Sequence, residues 1–222
     1  MSYRKPLQWP NSLLKLKAED VTPDTSLSNL FEDMVDTLKI ERGAGLAAPQ
    51  INQSLNVIMI DVAEWEESAA FIQKLSEELV EERYWFLLNP RLDLSEERQR
   101  WSEGCLSVPW VSAEVERSSV CSVSYLTRDF ESKEINLPWP LSGAVQHEFD
   151  HLEGKLFLDR VSRLKSSRLK KFITKKRKKI KDVREDLLRD PEEKKIGGKK
   201  RNLTLSKKEV KRRKLSRKIN SR

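Results

Sequence analysis

Hydrophobic side chains recur along this chain with several different rhythms. Across residues 28–42 they fall at Leu30, Phe31, Met34, Val35 and Leu38, the three- and four-residue steps of a single helix face, which predicts an amphipathic helix against a core. Apolar runs at residues 55–62, 85–92, 118–126 and 134–137, bounded by polar or proline-containing turns, predict strands. A second helix is expected from near Ser142, a suitable N-cap, with Val145, Phe149, Leu152 and Leu156 on its buried stripe and Gly154 where it bends or ends. Helices and strands do not alternate in a βαβ order, so a doubly wound parallel sheet is excluded. The expected class is α+β, with mixed or antiparallel sheets packed around this second, central helix and a basic helical extension at the C-terminal side.

Two further segments follow other patterns. Residues 63–83 are acidic and helical in period, with Phe71, Ile72, Leu75 and Leu79 on one side, and are expected to be a surface insertion in a domain spanning residues 1–162. Residues 163–222 form a Lys/Arg-rich tail in which only Leu164, Leu169, Phe172, Ile173, Ile180, Val183 and Leu187 offer a narrow apolar stripe. Pro191 and Gly197-Gly198 interrupt that stripe, and Ser206-Lys207-Lys208-Glu209 has the form of a capping box that restarts a helix. The tail holds 27 Lys/Arg against 7 Asp/Glu, so the overall +8 conceals a tail of +20 and a preceding section of −12. Such a tail buries too little apolar surface to fold alone, and its charge suits a polyanion held through salt-sensitive phosphate contacts.

The chemistry is concentrated in Gln146-His147-Glu148-Phe149-Asp150-His151. His147 and His151 are the only histidines, and one helical turn of 3.6 residues brings both to one face, where they can grip a divalent cation while Glu148 stands beside the water. A catalytic metal usually takes a third protein ligand and leaves one position open. With no histidine left, that ligand is a carboxylate or one of two cysteines. Cys105 lies in a turn-like stretch, Glu103-Gly104-Cys105-Leu106-Ser107, and is assigned to the metal; Cys121 sits in an alternating run that reads as a half-buried strand, and is expected to be a small buried side chain. Gly43-Ala44-Gly45 lacks the third glycine of a dinucleotide loop, and no Gly-Lys-Ser/Thr occurs, so phosphate binding is set aside.

Three segments, Gly43-Ala44-Gly45-Leu46-Ala47-Ala48-Pro49-Gln50, Glu103-Gly104-Cys105-Leu106-Ser107 and Gln146-His147-Glu148-Phe149-Asp150-His151, resemble in order and separation the signature motifs of the peptide deformylase family. The resemblance extends loosely over residues 6–161. It implies removal of the formyl group from formylmethionine on nascent polypeptides. The implied metal is Fe²⁺, with Zn²⁺, Ni²⁺ or Co²⁺ as substitutes, held by Cys105, His147 and His151. Glu148 would serve as the proton carrier, with the Gln50 amide and the Leu106 backbone N–H stabilising the oxyanion, and Gly45 in the same loop letting backbone approach substrate. By the same resemblance, the basic segment around residues 170–181 implies docking on the ribosome and its rRNA.

The chain departs from the family at two places. Ser112 stands where an arginine often grips the substrate peptide. Gly143 and Ala144 stand where bulky aliphatic residues often line the methionine pocket, so that pocket is either wider or filled from another segment. Two other functions stay open at this point: a His-Glu-x-x-His metallopeptidase using a later glutamate as third ligand, and an inactive ribosome- or RNA-binding protein. No apolar stretch reaches 18 residues and the first residues show no secretory or transit pattern, so a cytoplasmic protein away from membranes is expected; the residues do not identify its oligomeric state, and a monomer is taken as the default.

Overall fold

The computed structural model describes residues 2–63, 65 and 83–188, with side chains described to residue 184. The helical pattern of residues 66–82 and the restart at Ser206 lie outside the described residues. Contacts divide the chain into two units, residues 1–175 and 176–222. The described part of the second, residues 176–188, is helical.

The first unit is α+β. Strands β1 (Gly45–Ala47), β2 (Val57–Asp61), β3 (Tyr84–Leu94), β6 (Cys121–Leu126) and β7 (Ser132–Leu137) form an antiparallel sheet in the order β1-β2-β3-β6-β7, and β4 (Arg98–Cys105) pairs with β5 (Val108–Ser118) as a separate antiparallel hairpin. Helix α1 (Ser28–Glu41) covers one face of the large sheet and α2 (Leu141–Leu152) the other. Strand β2 shows why. Its side chains alternate, Val57 and Met59 toward the α1 core and Ile58 and Ile60 toward the α2 core, and every residue of the strand is buried. A strand covered on both faces reads as a continuous apolar run, the pattern present at residues 55–62. The β3–β6 register shifts between Leu88 and Arg91, where Asn89 has a left-handed φ of 48° and Pro90 has no N–H to donate.

Helix α2 lies between the large sheet and the hairpin, and every residue in it except Phe149 is buried. Ser142 is not its N-cap: the helix starts at Leu141, and Ser142 is an interior residue whose Oγ donates to the Ser118 carbonyl at 2.8 Å. Leu156 falls beyond the helix, in a third core with Val108, Val115 and Phe157. Gly154 does mark the end, at φ 66°, where a Cβ would stand 2.4 Å from the Lys15 carbonyl oxygen. The strand expected over residues 118–126 is two: Ser118 ends β5, Ser119 donates its N–H to Glu97, and β6 begins at Cys121. Cys121 is fully buried in the α2 core.

Helix α3 (Arg163–Leu188) carries the basic segment. Within the first unit Ile173 is fully buried and Leu169 packs on the same third core, while Leu164 and Phe172 stay largely exposed. The apolar stripe is therefore only partly used there.

Candidate active site

Strand β4, the turn after it and helix α2 bring the chemistry together. Cys105 is the last residue of β4, Leu106 and Ser107 turn the chain into β5, and His147 and His151 leave α2 one turn apart with their rings 5.2 Å between centroids. The donor atoms of Cys105, His147 and His151 lie within 4.8 Å of one another, and Cys105 Sγ is 3.3 Å from His151 Nε2. Ligand bonds of ~2.0–2.3 Å in a tetrahedral centre put donors roughly 3.3–3.8 Å apart, so this set fits a divalent ion with small side-chain movement. Among the described residues it is the one cluster of three metal-ligating side chains. Among the residues whose side chains are described, no glutamate is part of it.

The charges around the donors suit that role. Burial opposes ionisation of Cys105, but the imidazoles of His151 and His147 outweigh it and bring the thiol down to about 5, so a thiolate is available at neutral pH. His147 Nδ1 lies 2.7 Å from Glu103 Oε2. Burial also works against the Glu103 carboxylate, yet hydrogen bonds from Arg117 and His147 hold it at about 2. An ionised carboxylate only accepts, so His147 must donate from Nδ1, and Nε2 is the nitrogen left to face a metal, which takes the place of any proton there. Arg117, 2% exposed at its side chain, reaches Glu103 at 2.7 and 2.9 Å with Nε and Nη2, and Asp150 at 2.6 Å with Nη1; Asp150 also binds Arg160. A single guanidinium thus ties the Cys105 strand to the His151 helix.

Gln50 and Glu148 complete the constellation expected from the sequence. The Ala47 N–H donates to Gln50 Oε1 at 2.8 Å, fixing which end of the amide faces the site, and Nε2 points at Cys105 Sγ (3.6 Å) and Ser107 Oγ (3.2 Å). Burial pushes Glu148 above the usual carboxylate range even though the neighbouring imidazoles favour its charge, and its Oε2 has no protein hydrogen-bond partner. Gly45 has a specific reason to lack a side chain: a Cβ there would stand 2.7 Å from Glu148 Oε1. These residues line a cavity of about 580 Å³ together with Leu106, Trp65, Trp101, Trp110 and Ala144.

The structure resolves the question left by Gly143 and Ala144. A Cβ on Gly143 would meet Trp139 at 2.9 Å and Trp101 at 3.1 Å, so the space above this turn of α2 is filled from other segments, by indoles. Trp101 packs edge-on against Trp139 at 5.1 Å and tilted against Trp65 at 6.0 Å. Ser112 is exposed on β5 and outside the cavity lining, whereas Trp110, with a left-handed φ of 70°, and Val111 lie within it. Glu103 and Asp150 stand in motifs without a role, and Arg117 and Trp101 are missed. The importance of Arg117 and Trp101 depends on cross-strand register, for which the sequence carries no local signal.

Comparison with known proteins agrees with this geometry. The family model described as polypeptide deformylase matches residues 4–167. Peptide deformylase of Bartonella tribocorum is 37% identical over 191 residues, covering 85% of this chain and 100% of the relative, and that of Nitrosococcus oceani is 35% identical over 173 residues, covering 78% and 95%. Among solved structures, a peptide deformylase from Legionella pneumophila superposes with a TM-score of 0.68 at 34% identity, covering 79% of this chain and 96% of that one. A Plasmodium falciparum peptide deformylase in complex with an inhibitor gives 0.63 at 28%, covering 77% and 97%. This chain belongs to the polypeptide deformylase family.

Proposed function

We propose that this chain hydrolyses the N-formyl group of formylmethionine at the start of nascent polypeptides, releasing formate and a free α-amine. The observation that carries the reading is the convergence of Cys105, His147 and His151 beside a buried, unpartnered carboxylate on Glu148. Cys105, His147 and His151 would hold Fe²⁺ in the native protein, with Zn²⁺, Ni²⁺ or Co²⁺ as substitutes, because a thiolate with two imidazoles accepts each of these ions. Such an ion supplies Lewis acidity, lowering the pKa of water toward about 7 and polarising the formyl carbonyl. Glu148 takes the proton of the attacking water and returns it to the departing amine. The Gln50 Nε2–H and the Leu106 backbone N–H donate to the oxygen on which charge develops. The indole-lined cavity excludes water and receives the methionine side chain.

The direct test is release of formate from formyl-Met-Ala-Ser by the full chain loaded with Fe²⁺ or Co²⁺. No turnover by metal-loaded protein would overturn the assignment. A narrower expectation concerns Gly45. Gly45→Ala should displace the Glu148 carboxylate and reduce kcat by roughly 10²-fold, the lower end of what a positioned acid–base group contributes, with KM little changed. Steady-state kinetics on the same peptide measure both.

We further read the protein as a cytoplasmic monomer that meets its substrate on the ribosome, through the basic residues of 163–222 and rRNA phosphate. Exposed Arg163, Arg168, Lys171 and Lys175 on α3 support this, as does the +20 charge of the segment. Among the described residues no helix is long and apolar enough to cross a membrane. Ending the chain at Lys175 keeps Ile173 and Leu169 in their core and removes 21 of the 27 Lys/Arg. The shortened chain should pellet with ribosomes far less than the full chain at moderate salt, in a co-sedimentation assay, while still releasing formate. Equal pelleting would remove the docking role of residues 176–222.

A further inference from the structure

Trp101 is tied to the ligand His147 by more than proximity to the cavity. Trp101 and Glu103 are two residues apart on β4, so both side chains leave the same face of the strand. Across the hairpin Val115 opposes Trp101 and Ala113 opposes Glu103, which places Arg117 further along that face. The Trp101 Nε1–H donates to Glu103 Oε1 at 2.8 Å.

Counting donors shows what that bond does. An ionised carboxylate offers about four lone-pair sites. Glu103 Oε1 accepts from Arg117 Nε and Trp101 Nε1, and Oε2 accepts from Arg117 Nη2 and His147 Nδ1. At 3% exposure, Glu103 has little water to replace a lost partner.

We infer that Trp101 is a positioning residue for His147: its indole N–H completes the donor set that fixes the Glu103 carboxylate, and through it the tautomer and orientation of the His147 ring. The same indole walls the cavity, so cavity wall and ligand support are one packed unit. The inference rests on reading Cys105, His147 and His151 as metal ligands.

Trp101→Phe keeps an aromatic ring against Trp139 and Gly143 but removes the N–H. Trp139→Phe alters the same wall and leaves the hydrogen bond in place. Each full-length variant is loaded with Co²⁺, the thiolate-to-cobalt absorption band is recorded, and the ion is withdrawn with increasing chelator. Trp101→Phe should surrender Co²⁺ at roughly ten-fold lower chelator concentration, as expected for losing a support to a ligand histidine, with a shifted band. Trp139→Phe should behave like the unaltered chain. Retention of Co²⁺ by Trp101→Phe at the level of the unaltered chain, or equal weakening in both variants, would overturn the inference alone. An unaltered chain with no thiolate band would overturn the ligand reading together with it.

Discussion

Glu148→Gln is expected to slow formate release by roughly 10²- to 10⁴-fold, the usual contribution of a positioned acid–base group, while the metal content per chain stays unchanged. The two halves of this expectation come from different observations. Glu148 is buried on α2 beside both imidazoles, its Oε2 meets no protein donor, and burial raises its pKa above the ordinary carboxylate value, the direction that suits a group accepting and returning a proton. Glutamine preserves the shape and removes that capacity. The metal should remain because the proposed donors are Cys105, His147 and His151, whose ligand atoms cluster without the carboxylate. Turnover and metal analysis on one preparation decide the matter: undiminished turnover removes Glu148 as proton carrier, and loss of the ion would make it a ligand instead.

The second large effect is on stability. Arg117→Met should cost about 3 to 5 kcal/mol, read as a lower denaturant midpoint for the full chain, because it removes, among the described residues, the only arginine on the buried Glu103 carboxylate and one of the two on Asp150. Glu103 and Asp150 are 3% and 1% exposed, and Arg117 bonds to both. Asp150 retains Arg160, and Glu103 retains Trp101 and His147, so the fold has other anchors there. If the cost comes from unpaired charge, adding Glu103→Gln and Asp150→Asn to Arg117→Met should recover part of it. A loss due only to packing of the arginine stem would not be recovered that way.

Much of this molecule is legible from residue order because its reaction centre uses local spacing. Two imidazoles four apart need only a helix to meet, and the helix is announced by Val145 and Leu152. The buried strand β2 is announced by its unbroken apolar run. The hairpin β4–β5 is different. Arg98, Gln99, Arg100, Ser102 and Gly104 of β4 are exposed, so the strand lacks an apolar alternation, and only pairing with β5 explains it. Arg117 and Trp101 were missed for the same reason: their roles are set by which residue lies opposite which. The N-cap at Ser142 failed because the hydroxyl turns to the Ser118 carbonyl, a tertiary partner more than twenty residues away in the chain.

Gly143 and the two indoles above it divide a single volume among three positions on separate segments. A branched side chain at 143 is admissible only if Trp139 or Trp101 has first become smaller, and a smaller residue there leaves a hollow unless 143 grows. A single substitution at this wall therefore leaves it crowded or hollow, and substitutions there are expected to be tolerated in compensating pairs. Compounds shaped to lie along a helix-borne aliphatic surface would meet the flat edges of tryptophan rings here.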